Sequence, residues 1–117
     1  MSIFSRESAA QPPSPEEQDL IKLRAFAESG GNLRDETEVL FLLFFPSETS
    51  ANAAAGRAEL DGYLADVEDP PASDGEWLVM CSADFAPSRE EIKSRRERLA
   101  SLAREHGGRF DAWEIID

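Results

Sequence analysis

One cysteine and one histidine stand in a chain of 117 residues, and that scarcity rules out a good deal of chemistry. Cys81 has no second thiol, so an intramolecular disulfide is excluded, and with it any need for an oxidising compartment. The two residues together cannot make the usual nitrogen and sulfur ligand sets of a metal site. The seven glycines form no P-loop, no dinucleotide fingerprint and no nucleophile elbow. Long apolar runs are missing too. The longest, Val39–Phe45, has the length of a strand and falls far short of a membrane span. The opening MSIFSRESAAQPPSPEEQ lacks the apolar core of a secretory leader. These absences set a first expectation: a cytoplasmic protein with no cofactor and no membrane partner.

Positive charge is also in short supply. Twelve Lys and Arg face 24 Asp and Glu, a net formal charge of −12. Nucleic-acid binding rests on neutralising phosphates with basic side chains, so direct nucleic-acid binding is not expected. An anionic membrane surface is repelled for the same reason. The same field attracts basic partners and speeds their encounter. Its plainer role is to keep a small domain soluble.

The length suits one domain and allows a core without staples. Residues 1–14, rich in Ser, Ala, Gln and Pro, read as a flexible N-terminal tail, and 15–117 as a single domain. Ser14-Pro15-Glu16-Glu17 is a helix start. The helix should run to about Glu28 with an apolar stripe through Leu20, Leu23, Phe26 and Ala27, and Gly30-Gly31 stops it. Thr37–Phe45 reads as a strand apolar on both faces, which places it centrally in a sheet and predicts cover on both sides. Ser47 caps a second helix that carries Ala51, Ala54, Ala55, Ala58 and Leu60. Leu64–Glu68 is a short strand before the turn Asp69–Gly75. Glu76–Ala83 is another strand apolar both ways. Ser88 with Glu91 suggests a capping box for a helix ending near His106 at Gly107-Gly108. Arg109–Ile116 closes the sheet. The order is a helix followed by β-α-β-β-α-β, the α+β, ferredoxin-like split arrangement with a four-stranded antiparallel sheet.

No catalytic constellation emerges. Cys81 reads as a buried small hydrophobe, and His106 as a cap on the last carbonyls of its helix. On a strand, Asp111 and Trp113 share a face while Glu114 turns away, so the two acids cannot converge as an acid/base pair. Arg95 falls on or beside the inner stripe Ile92, Leu99, Leu102 and Ala103. A stem over the core with its head reaching outward is expected there.

The strings DGEWLVMCSADFAPSREEI and RERLASLAREHGGRFDAWE resemble the family called regulator of ribonuclease activity B, or ribonuclease E inhibitor RraB. Its members show a tryptophan-bearing third strand, a proline opening the last helix, an LA-x-x-HGG helix end and a closing Y-D-G-W-E. Here those features are Trp77, Pro87, Leu99 to Gly108, and Phe110-Asp111-Ala112-Trp113-Glu114. The chain departs at Phe110 for Tyr, Ala112 for Gly, and Arg95 for an apolar residue. The resemblance implies a non-enzymatic protein that binds an endoribonuclease such as ribonuclease E and modulates RNA decay. It points to Trp77, Phe110, Asp111, Trp113 and Glu114 as motif and interaction residues. The alternatives are an interaction domain with an unrelated protein target, or a small-ligand domain or enzyme. The doubly apolar strands pose one more question: what covers the second sheet face. The N-terminal helix is expected first, a homodimer second and the target third.

Overall fold

The computed structural model describes residues 13–71 and 75–116. Most of the expected tail, and Ala72, Ser73 and Asp74 of the turn, lie outside the described residues. The elements are α1 Pro15–Glu28, β1 Thr37–Phe45, α2 Glu48–Leu60, β2 Leu64–Glu68, β3 Trp77–Phe85, α3 Arg89–Glu105 and β4 Arg109–Ile116. The strands form one antiparallel sheet in the order β2-β3-β1-β4. This is the ferredoxin-like α+β arrangement expected from the sequence, with α1 added. The third strand runs two residues further than expected, to Phe85.

Side chains alternate across each strand, and the burial follows that period. Val39, Phe41, Leu43 and Phe45 are buried under the helices. Phe41 is the centre of this core. Its ring stacks on Phe85 at 6.3 Å, meets Tyr63 edge-on at 5.9 Å and lies 6.3 Å from Phe110. Ala51, Ala54, Ala55 and Ala58 are the buried face of α2, whereas Leu60 at its last residue is exposed and takes no part in the core. The small alanine side chains let the helix backbone approach the sheet. Ile92, Leu99, Leu102 and Ala103 are the buried face of α3.

The helix ends are chemically satisfied. Ser14 and Glu17 form a full capping box on α1. On α3 only half of the expected box forms. Ser88 accepts from the Glu91 N–H, but the Glu91 carboxylate turns to Arg95 Nε at 2.8 Å. At the C-terminus of α3, His106 Nδ1 donates to the Leu102 carbonyl at 2.9 Å, the cap expected of it. Gly107 follows at φ +79°, and a Cβ on Gly108 would stand 2.3 Å from the Phe44 carbonyl oxygen. The glycine pair therefore does more than stop the helix: it lets β4 begin hard against the end of β1.

One expectation fails. α1 does not cover the second face of the sheet. It packs beside α3, on the same side as the other helices, with Leu23 in the common core. The reason lies in Asp19, a carboxylate buried to 2% exposure. A buried charge needs partners, and Asp19 finds them on α3 and β4. The second face, with Leu40, Leu42 and Phe44 of β1 beside Leu78 and Met80 of β3, is only half-buried. No element lies over it among the described residues.

Candidate functional site

Two surfaces meet at β4. The first is the uncovered sheet face. Strand register lays it out in rows: Glu68, Leu78, Phe44 and Arg109; then Asp66, Met80, Leu42 and Ala112; then Leu64, Ser82, Leu40 and Glu114. The centre is apolar. The edges carry Asp66, Glu68, Glu114, Glu38 and Asp84, all exposed. Glu38 and Asp84 sit directly opposite one another across β1 and β3, a pairing of like charges that weakens a sheet. The basic group of this face is Arg109. Its guanidinium lies 4.8 Å from the centre of the Phe44 ring and donates to Glu76 at 2.7 Å and Asp111 at 3.2 Å. Its charge is therefore already answered.

The second surface is a cleft of about 390 Å³ between α1, α3 and β4. Its floor is Trp113, buried opposite Phe41. The indole Nε1–H donates to Asp19 Oδ1 at 2.8 Å. The other carboxylate oxygen of Asp19 accepts from Arg96 Nε at 3.1 Å and Nη2 at 2.9 Å. Lys22 donates to the Trp113 carbonyl and holds its charge 5.0 Å from the ring centre. Three elements are thus pinned through one tryptophan. A neighbouring ion pair, Glu16 with Lys93 at 3.7 Å, repeats the α1–α3 link at the surface.

Of the five residues singled out by the motif, three gather at this cleft. Phe110 and Trp113 line it, and Asp111 stands at its mouth on a β-bulge, where the register with β1 slips between Leu42 and Leu43. Glu114 turns to the open face instead, opposite Leu40. Trp77 lies far along the sheet, half-buried opposite Phe45 and packed on the core. Asp111 and Glu114 therefore border different surfaces, although the bulge interrupts the strand period at Asp111.

Asp19, Arg96 and Lys22 were not singled out from the sequence, although a signal existed. Asp19 precedes Leu23 by one helical turn on the buried stripe, and Arg96 falls between Ile92 and Leu99 on that of α3. An acid and a base at inward positions of two different helices invite pairing. Arg95 stacks 4.0 Å from the Phe85 ring centre and donates to Glu91 and to the Tyr63 hydroxyl. Its head is held on the rim of the core more firmly than a side chain reaching into water.

No shift favours a nucleophile. Burial pushes the Cys81 thiol up to about 12, so it stays protonated at neutral pH. Burial also raises the Tyr63 phenol, against the opposing pull of Arg95. Among the described residues no group of His, Cys, Asp and Glu could hold a metal ion, and no helix is long and apolar enough to cross a membrane.

No curated protein matches the chain. One family model does, over residues 16–115, and its description is regulator of ribonuclease activity B.

Proposed function

The chain belongs to the RraB family, regulators of ribonuclease activity, and from that premise we propose that it acts on ribonuclease E by binding it through the open sheet face, without catalysis. The observation that carries this reading is the composition of that face. Leu40, Leu42, Phe44, Leu78 and Met80 form an apolar centre that no element covers among the described residues, inside a rim of five exposed carboxylates. Large apolar side chains each contribute roughly 1.5–3 kcal/mol when fully withdrawn from water. These are half-buried already, so a partner gains part of that from each. The rim adds steering and selectivity for positive charge.

The partner that fits is a segment with apolar side chains flanked by Lys and Arg, the composition of a stretch that otherwise contacts RNA. A cation beside Glu38 and Asp84 would also relieve their mutual repulsion. A second copy of the chain fits less well. A symmetric dimer through this face would bring the same carboxylates together.

The test is a triple charge reversal, Asp66→Lys, Glu68→Lys and Glu114→Lys. All three side chains are exposed, so stability should stay within about 0.5 kcal/mol for each substitution. Affinity for ribonuclease E should fall by about tenfold or more, with the loss of RNA-cleavage inhibition following it. Undiminished affinity would exclude this face as the docking surface.

A further inference from the structure

We propose that the cleft between α1, α3 and β4 is a second binding site, of opposite polarity, for a small organic monoanion with an apolar body, of the aromatic carboxylate class. Its lining carries Lys22, Arg96, Arg104 and Arg109 against Asp19 and Asp111. That balance inverts the composition of the chain as a whole, where acids outnumber bases two to one.

The existing pairs show which charges remain available. Asp19 is matched by Arg96. Arg109 is matched by Glu76 and Asp111. Lys22 donates to a backbone carbonyl, which leaves its charge unneutralised, and Arg104 has no carboxylate partner among the described residues. These two cations border a floor of Trp113, Phe110, Ala100 and Ala112. A volume of about 390 Å³ falls in the range of small-molecule sites, which combine apolar walls with a few placed polar groups. The floor is rigid, because Asp19 holds the indole and Arg96 together from below. Rigid supports of this kind lower the cost of binding.

Ligand size follows from the long-range field. A net charge of −12 repels polyanions at a distance, whereas a single carboxylate meets mainly its near neighbours. The apolar floor then supplies what one charge alone could not. Trp113, Lys22 and Arg104 lie on the helix side of the sheet, so a ligand there is read apart from docking at the open face, with which the cleft shares Arg109 and Ala112 of β4.

The experiment is a nuclear magnetic resonance titration of the isotope-labelled full chain with naphthoate, and in parallel with naphthamide, its neutral counterpart of similar shape. Naphthoate should shift the Trp113 indole N–H and the Arg96 Nε–H saturably, with naphthamide weaker by about tenfold. Arg104→Gln, at an exposed side chain, should remove a large part of that difference while leaving the spectrum folded. Equal response to both probes, no response, or shifts confined to the amides of Leu78 and Met80 would overturn the proposal. So would a polyglutamate peptide that moves the Trp113 signal where naphthoate does not.

Discussion

Trp113 and Asp19 show how one residue pair can hold three elements. The indole fills the space beneath α1 and α3, and its N–H satisfies a carboxylate that is otherwise sealed from water. Trp113→Ala should cost about 3–5 kcal/mol by loss of a buried aromatic, read as a shift in the urea midpoint. Asp19→Ala should cost about 3–5 kcal/mol as well, because it strands the Arg96 guanidinium in a poorly solvated site. The double variant should cost clearly less than the sum; strict additivity would show that the two residues act separately. Part of this was legible in the sequence. The closing motif marks Trp113 but not its partner, since Asp19 lies in the second turn of α1, past Glu16 and Glu17 of the first, and nothing in its spacing ties it to β4. Cys81 permits a check by pH. Its folded value near 12 exceeds the ordinary 9.0, so the folded state keeps a proton that the unfolded chain releases. The stability tied to this thiol is complete below pH 9 and is lost as pH rises towards 12. Cys81→Ala should flatten that alkaline decline, measured as unfolding free energy against pH. An unchanged slope would assign the decline to other groups such as Tyr63.

At the scale of elements, strand and helix identities were legible because period and capping agree. β1 alternates into two apolar sets, and Ser14, Ser47 and Ser88 each accept from an N–H in the first turn of the helix that follows. The placement of α1 was not legible. Its stripe through Leu20, Leu23 and Phe26 is equally suited to either sheet face, and only Leu23 becomes buried. The choice is made by Asp19, whose partners Arg96 and Trp113 stand 77 and 94 residues away in sequence. The bulge at Asp111 was hidden for a similar reason, since register depends on both strands. The α3–β4 junction offers a separate test. Gly108→Ala would push a methyl against the Phe44 carbonyl and the Phe45 ring. A cost of about 1–3 kcal/mol is expected from overpacking, with the thermal midpoint as the measurement. A neutral result would mean that β4 can move away from β1 without penalty.

Over the whole molecule, exposed carboxylates rim the apolar open face of the sheet, the proposed docking surface, while Lys22 of α1 and Arg96 and Arg104 of α3 collect on the helix side. The four-stranded order was evident from the sequence because each strand has an apolar signature and each connection has a helix or a turn. The sidedness was not, since residues apolar on both faces of β1 and β3 give no sign of which face stays open. Charge makes a further prediction at this scale. Association with ribonuclease E should slow steeply as salt rises, with dissociation changing much less, and stopped-flow measurement at several salt concentrations would register it. The most direct test of the account is a methyl footprint of the complex. With ribonuclease E added to the methyl-labelled chain, signals of Leu40, Leu42, Leu78 and Met80 should move or broaden, while those of Ile92, Leu99 and Leu102 in the core under α3 stay in place. Perturbation centred on the α2 and α3 side of the molecule, with the four open-face residues silent, would contradict it.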